Sequence, residues 1–395
     1  MTSEKDVEIS RLDLEASAPA EATITDVQHL ASYNWIEATQ PTIAVPGIPA
    51  RWSPPEKPQK LQKDSGLVFI AQNAARHPAS PLEPLFRSLY IEQPSFDINP
   101  IDVVTDRNNI RRLLLFIQPS LARRDLDSFT IQVEMAAQTA IFCRDETPIY
   151  QYIAVNEFKG FGREFEKAYT TYQIEESTGH YRILQYRLGG LRFLVRHETD
   201  GYLDEKPAES KDLVAEESIP TNLDSLSPLL ETASVDEAVS QPRLTIKKEG
   251  WVVPRELTLE VKTRAFHKPL ELSEFAAQLW ISQTPNLVRA YHKGGLFSTP
   301  EVDDISTALQ DWEQAHQEDI RKLVALITRI LQVTREWGGT STIQYDDSKD
   351  KLVAKKVTGR RMLPDDLYSL WTDVVPTDVE QNIPEKHLAV TEEKE

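Results

Sequence analysis

Two short acidic motifs contain the side chains best suited to chemistry in this sequence. Glu198-Thr-Asp200 ends one strand-like segment, and Glu260-Val-Lys262 ends another. Side chains alternate along a strand, which puts Glu198 and Asp200 on one face of the first. The same alternation puts Glu260 and Lys262 on one face of the second. Gathered carboxylates repel one another unless a divalent cation lies among them. We therefore predict a metal-dependent site that cleaves phosphodiesters.

The segments around these motifs predict a mixed α/β fold. Gly189-Gly190 between two strand-like runs is a strong hairpin signal. Apolar spacing predicts a helix that begins at Asp106-Arg107 and a second helix that contains Glu166. The predicted strands are 129–134, 139–144, 181–188, 191–198, 257–262 and 286–292, with a hairpin within 340–358 and irregular extended chain over 32–55. The predicted helices are 81–90, 107–117, 157–169, 270–281 (containing Gln278) and one or two within 304–337. We expect one domain of central mixed sheets flanked by helices.

The formal net charge of −18 is concentrated in three segments. Residues 1–27 carry a net charge of −5, residues 203–240 carry −8 and residues 373–395 carry −5, so the rest of the chain is neutral. These segments are poor in aromatic residues, and we predict two disordered acidic tails and a disordered insertion around a catalytic domain at 28–372. The whole-chain charge argues against non-specific binding of duplex nucleic acid but does not exclude an RNA ligand.

The sequence also bears on the chemistry of cysteine and on cellular location. Cys143 is the single cysteine, which excludes an intramolecular disulfide and a thiolate metal cluster. Its apolar surroundings, Thr139-Ala-Ile-Phe-Cys143, favour a buried structural thiol. We found no run of 18 apolar residues and no signal-peptide pattern, so we predict a location in the nucleus, the cytosol or both.

Glu-x-Lys alone is a weak signal, because exposed strands with salt bridges also produce it. Its combination with Glu198-Thr-Asp200 is similar to the PD-(D/E)XK nuclease superfamily. More of the chain, from about Ser32 to Trp337, resembles the DXO/Rai-type family of RNA 5′-end decapping nucleases. Arg107, which opens a helix, resembles the first motif of that family, and Gly162-Arg-Glu-Phe-Glu166 resembles the second.

The remaining motifs follow in the family's order. Glu198-Thr-Asp200 is similar to the third motif, and Glu260-Val-Lys262 is similar to the fourth. Gln278 lies on the next predicted helix, seven residues before Pro285-Asn286, as in the family. The match of all these motifs in order is specific, although each motif alone is weak.

The resemblance implies roles for these residues. Lys262 would orient the attacking water and the scissile phosphate, Gln278 would assist, and Arg107 would hold RNA phosphates. The expected cofactor is Mg²⁺ or Mn²⁺. Its ligands would be Glu166, Glu198, Asp200, Glu260 and the backbone carbonyl of Val261.

Three positions depart from the family pattern: Arg163 replaces an aromatic residue, Thr199 an apolar residue and Asn108 a glycine. None of them removes a catalytic functional group. Arg163 would alter the pocket and the class of 5′ end that it accepts.

The favoured hypothesis is a hydrolase of RNA 5′ ends. Implied activities are removal of incomplete or NAD caps, pyrophosphate release from 5′-triphosphate ends and 5′→3′ exoribonuclease cleavage. One alternative is a catalytically decayed member that binds a 5′→3′ exoribonuclease as a partner. Another is a nuclease of DNA ends. We expect no membrane partner.

Overall fold

A computed structural model describes residues 6–121, 125–155, 157–158, 160–204, 243–359 and 361–371. The acidic tail predicted at 373–395 lies outside the described residues, and so does the insertion predicted at 203–240 except for its first two residues. No helix among the described residues is both long enough and apolar enough to cross a membrane.

The described chain contains twenty strands and seven α-helices. The strands are β1 Val7–Ile9, β2 Ile24–Ile36, β3 Thr42–Gly47, β4 Arg51–Trp52, β5 Gly66–Phe69, β6 Val103–Asp106, β7 Phe129–Ala136, β8 Thr139–Asp145, β9 Tyr150–Ile153, β10 Thr170–Thr171, β11 Ser177–Leu188, β12 Leu191–Thr199, β13 Gly201–Tyr202, β14 Thr245–Gly250, β15 Thr258–Ala265, β16 Asn286–Lys293, β17 Leu296–Phe297, β18 Glu301–Asp304, β19 Thr340–Asp346 and β20 Lys351–Lys356. The helices are α1 Gln72–Arg76, α2 Glu83–Glu92, α3 Arg107–Ile117, α4 Gly162–Tyr169, α5 Ala276–Ser282, α6 Ser306–Ala315 and α7 Gln317–Glu336, and five short 3₁₀ helices lie between them.

Two mixed sheets form the centre of the molecule. The larger has eleven strands in the order β1-β20-β19-β7-β8-β6-β12-β11-β2-β3-β14. The smaller has seven strands, in the order β10-β4-β13-β15-β16-β17 with β18 also paired to β16. A separate two-stranded ribbon pairs β5 with β9. The predicted fold class, a single α/β domain with mixed sheets flanked by helices, is confirmed.

Both faces of the larger sheet are buried, and alternation along its strands divides them. Val195 packs into the core formed with α3, α5, α6 and α7, whereas its neighbour Leu194 packs into the core formed with α2. Val103 and Val104 on β6 divide between the two cores in the same way. Strands buried on both faces read as continuous apolar runs. A third core lies between α4 and the smaller sheet.

The N-terminal segment differs from the disordered tail predicted for residues 1–27. Among its described residues, Val7–Ile9 form β1, which pairs antiparallel with β20, and Leu14 is 2% exposed in the main core. Arg11 forms an ion pair with Asp350. The acidic composition of this segment led to the prediction of disorder, although its few apolar residues are buried at the edge of the sheet.

Three other element boundaries also differ from the prediction. The stretch 32–55 contains the end of β2, an interior strand between β11 and β3, rather than irregular chain alone. The helix predicted at 157–169 begins only at Gly162 as α4, and the helix predicted at 270–281 is a 3₁₀ turn followed by α5. The other predicted strands and helices are present with small shifts of their ends.

Candidate active site

The two acidic motifs meet where the chain passes from the larger sheet to the smaller one. β12 ends at Thr199, and after Asp200 the chain enters β13, where Gly201 pairs antiparallel with Leu259 of β15. This junction brings Asp200 beside the next residues of β15. The Asp200 Oδ2 atom accepts a hydrogen bond of 2.8 Å from the Val261 backbone N–H.

Glu260 lies at the centre of a compact charge network. It is 3% exposed, and its carboxylate accepts hydrogen bonds from Lys262 Nζ at 2.6 Å, from Gln278 Nε2 and from Arg107 Nη1 at 3.3 Å. Burial raises the pKa of Glu260, but the positive charges of Lys262 and Arg107 outweigh burial and lower the pKa overall. Glu260 is therefore an anion with its charge already balanced.

For three other carboxylates, burial and like charges outweigh the effect of the neighbouring cations. Burial, and then the charges of Asp200 and Glu198, raise the pKa of Glu166 well above its ordinary value. Burial and the charge of Glu260 raise the pKa of Asp200 to about 7, and the same two causes raise the pKa of Glu198. Glu198 is accessible from a cleft, but protein surrounds that cleft closely enough to disfavour the charge. These shifts are those expected for like charges sharing one site.

A cleft of about 780 Å³ contains this acidic cluster. Its lining includes Glu166 from α4, Gln278 from α5 and Arg107 at the start of α3. The buried ion pair between Asp106 and Arg196 joins β6 to β12 just before Arg107 and fixes where α3 begins. Glu260 and Lys262 are not part of the lining, since Arg107 and Gln278 lie over Glu260.

Lys262 is an ammonium group in this environment. Burial lowers its pKa, but the neighbouring charges of Glu260 and Asp200 outweigh burial, so the pKa is raised above its ordinary value. A side chain that keeps its proton at neutral pH can stabilise negative charge on a phosphate but cannot accept a proton from water.

The cleft also contains cationic residues without a predicted role. Arg111 lies one helical turn after Arg107, and its guanidinium donates a hydrogen bond of 3.2 Å to Asn108 Oδ1. Burial and then the charges of Arg107, Arg112 and Arg144 lower the pKa of Arg111. The i, i+4 spacing from Arg107 was the available signal in the sequence.

Two further residues lie beside the acids in the sequence. Arg163, at the position where the sequence departs from the family pattern, lines the cleft and lowers the pKa of Glu198. His197 is 4% exposed, and burial, followed by the charge of Arg107, lowers its pKa well below the ordinary value.

The donor atoms of the cluster suit a hard divalent cation, although their present positions do not enclose one. Among the described residues, no group of three or more His, Cys, Asp or Glu side chains is close enough to hold a metal ion. Carboxylate and carbonyl oxygens are nevertheless the ligands that Mg²⁺ and Mn²⁺ prefer. The backbone N–H and C=O of one strand residue point to the same edge, so the Val261 carbonyl faces the edge occupied by Asp200. Binding would require Glu260 to exchange some of its present partners.

Solved structures with a similar fold come from yeasts. Rai1 of S. pombe is 13% identical and has a TM-score of 0.56, with 89% of this chain and 100% of that chain covered. Candida albicans Rai1 in complex with pU5-Mn²⁺ is 10% identical with a TM-score of 0.58, covering 93% and 99%. Scheffersomyces stipitis Rai1 in complex with (3′-NADP)⁺ and calcium ion is 11% identical with a TM-score of 0.56, covering 91% and 93%. The predicted resemblance is confirmed as a Rai-like fold.

Sequence comparison gives a separate result. No curated protein is a significant match to this chain. A family model described as a domain of unknown function, DUF8563, matches residues 9–371, which is most of the sequence. The chain therefore belongs to the DUF8563 family.

Proposed function

We propose that this protein is a divalent-metal-dependent hydrolase that acts on RNA 5′ ends. The observation that carries the proposal is that three carboxylates, Glu166, Glu198 and Asp200, line one cleft with raised pKa values beside the Glu260–Lys262 pair. Carboxylates whose charge is disfavoured in this way destabilise the fold, so a purely structural role gives no reason for them.

The fold supports RNA as the substrate class. Candida albicans Rai1, which has a similar fold, was solved with pU5-Mn²⁺. Together with the motif resemblance, this supports decapping of incomplete or NAD caps, pyrophosphate release from triphosphate ends and exonuclease cleavage as candidate reactions. A nuclear or cytosolic location is part of the same proposal.

In the proposed reaction, the cation would be held by Glu166, Glu198, Asp200, Glu260 and the carbonyl of Val261. When bound, it would activate a water molecule and offset charge on the leaving oxygen. Lys262 stays protonated and stabilises charge on the attacked phosphate. Gln278 orients Glu260 through its hydrogen bond, and Arg107 is released from Glu260 to bind a phosphate oxygen.

The balanced charge of Glu260 favours a second candidate. A carboxylate already bonded to Lys262, Arg107 and Gln278 has less need of a cation, which is what a catalytically decayed member would show. Such a protein would serve as a binding partner of a 5′→3′ exoribonuclease.

The test is hydrolysis of one short RNA that carries alternative 5′ ends: triphosphate, unmethylated cap, methylated cap, NAD or monophosphate. The purified full chain is assayed with Mn²⁺, with Mg²⁺ and with EDTA. We expect metal-dependent release from at least one RNA end, and the released fragment identifies the reaction.

Two controls complete the experiment. A single-stranded DNA of the same sequence tests the alternative of a DNA-end nuclease. The Asp200→Asn variant should abolish the reaction, so metal-dependent release that persists in this variant would contradict the site assignment. If the folded wild-type protein hydrolyses none of these 5′ ends, the result favours the non-catalytic candidate.

A further inference from the structure

The two-stranded ribbon formed by β5 and β9 exposes an unusual number of large side chains. Tyr152 is 75% exposed, Leu67 56% and Tyr150 54%. Among the described residues, neither the Tyr150 nor the Tyr152 side chain has a hydrogen-bond or ring-stacking partner. Contiguous exposed apolar surface of this kind marks interaction sites in soluble proteins.

The strand register shows that these side chains share one face. Leu67 pairs with Tyr152 and Phe69 pairs with Tyr150, and directly paired residues of antiparallel strands point to the same side. The intervening Val68 points to the other side and is 5% exposed. The ribbon therefore buries the apolar side chains of one face, Val68 and Ile153, and presents Leu67, Phe69, Tyr150 and Tyr152 on the other, which we call the tyrosine face.

The tyrosine face is continuous with the candidate active site. Leu67 and Phe69 line the same cleft as Glu166, Glu198 and Asp200. The end of the ribbon is fixed to the cleft wall, because Arg144 of β8 donates a hydrogen bond of 2.9 Å to the Ile70 carbonyl. Tyr150 and Tyr152 thus extend outward from the cleft on a surface that it already includes.

We propose that the tyrosine face binds the RNA nucleotides that follow the reacting 5′ end, by stacking their bases on Tyr150 and Tyr152. The inference rests on the proposed function, since it assigns the path of the same substrate outside the cleft. Aromatic rings stack on any base, so this surface would add affinity without sequence preference.

The geometry favours single-stranded RNA over a protein occupant. Residues two apart on a strand are about 7 Å apart, which gives each tyrosine room for one base. A protein partner would not need a surface that continues into the cleft, whereas a chain whose 5′ end lies beside the acids can follow the cleft wall past Leu67 and Phe69 to the tyrosines.

The test compares binding of two labelled RNAs, a dinucleotide and a decanucleotide, to the full-length protein by fluorescence anisotropy in EDTA. The wild-type protein should bind the decanucleotide more tightly than the dinucleotide. The double variant Tyr150→Ala/Tyr152→Ala should bind the decanucleotide about tenfold more weakly or worse, with little change for the dinucleotide.

Two matched variants separate the rings from other effects. Tyr150→Phe/Tyr152→Phe keeps the rings and should bind as the wild type does. Trp251→Ala removes an aromatic side chain that is equally exposed, at 54%, but does not line the cleft, and it should also leave binding unchanged. Circular dichroism and the unfolding temperature establish that each variant is folded.

The outcomes are distinguishable from those of the proposed function. If the alanine variant binds the decanucleotide as tightly as the wild type, or if the wild type shows no preference for the longer RNA, the inference is wrong even when hydrolysis occurs. If the length preference depends on the rings but no 5′ end is hydrolysed, the inference stands and the proposed hydrolase does not.

Discussion

At the scale of single residues, the acids of the cleft fall into two electrostatic classes. Glu260 is stabilised as an anion by Lys262 and Arg107, whereas burial and neighbouring charges make Asp200 and Glu166 resist ionisation. The sequence located all these acids through alternation and motif order. It could not separate the two classes, because Arg107 and Gln278 reach Glu260 from distant parts of the chain.

This division predicts opposite effects on stability for two neutralising substitutions. Glu260→Gln leaves Lys262 and Arg107 buried without their carboxylate and should lower the free energy of unfolding by about 3 kcal/mol. Asp200→Asn removes a repelled charge and keeps an oxygen for the Val261 N–H, so it should leave stability equal or higher at pH 8.

Both variants should lose activity by roughly 100-fold or more, since several kcal/mol of transition-state stabilisation depend on the metal ligands. Urea unfolding and metal-dependent turnover are the measurements. If Glu260→Gln and Asp200→Asn destabilise the protein equally, the assignment of Glu260 and Asp200 to different electrostatic classes is wrong.

Glu92 on α2 gives a pH-dependent prediction away from the cleft. Burial raises its pKa to about 7, although its carboxylate accepts a hydrogen bond of 2.6 Å from the Ser32 N–H. A carboxyl with a folded pKa above its unfolded value stabilises at low pH, and that contribution is lost as pH rises from about 4.5 through about 7. Glu92→Gln should therefore stabilise the protein at pH 8 by on the order of 2 kcal/mol and have little effect at pH 4. Thermal unfolding across this range tests the sign.

At the scale of elements, the site depends on how strands end and helices begin. Arg196 on β12 is 1% exposed and holds both oxygens of Asp106, at 2.7 and 3.0 Å, where β6 passes into α3. Sequence patterns predicted α3 from Arg107 to Ile117 correctly, because its apolar spacing is local. The sequence did not reveal this ion pair, which depends on the parallel pairing of β6 with β12.

Asp106→Asn should be strongly destabilising for this reason. It leaves the buried Arg196 without a counter-ion, and we expect a loss of about 3 kcal/mol in the free energy of unfolding. The matched control is Asp366→Asn, which removes a 60% exposed partner of Arg87 and should cost less than about 1 kcal/mol. Chemical denaturation measures the free energy of unfolding of both variants. Similar losses would show that the Asp106–Arg196 ion pair contributes no more to stability than an exposed pair does.

At the scale of the whole molecule, the raised pKa values link stability to cations and to pH. A cation that binds only the folded state stabilises it, by about 2.7 kcal/mol when the cation concentration is 100 times the dissociation constant. The unfolding temperature therefore rises. Protons compete with the cation, because the pKa of Asp200 is about 7. We expect Mn²⁺ to raise the unfolding temperature more at pH 8 than at pH 6.

Calorimetry with and without EDTA measures this effect, and Asp200→Asn is the control that should reduce it. An unfolding temperature at pH 8 that does not change with millimolar Mn²⁺ or Mg²⁺ would count against a metal site.

Several interior strands of the fold could be predicted from the sequence, whereas a strand at the edge of the large sheet could not. Alternation and the Gly189-Gly190 turn predicted the β11–β12 hairpin, because those signals lie within one short segment. Composition misjudged residues 6–27, since β1 is stabilised by a partner strand near the other end of the chain. The boundary of the folded domain therefore could not be read from local charge.

The pairing of β1 with β20 also constrains how the protein is made. Val7 pairs with Ala354, and β19 must pair with β7 before the large sheet reaches β1. During synthesis β1 must therefore wait until β20 has left the ribosome before it finds its partner. Folds dominated by such distant pairings fold slowly. Until β20 has left the ribosome, the apolar residues of β1 stay exposed, which makes nascent chains of this protein candidates for chaperone binding.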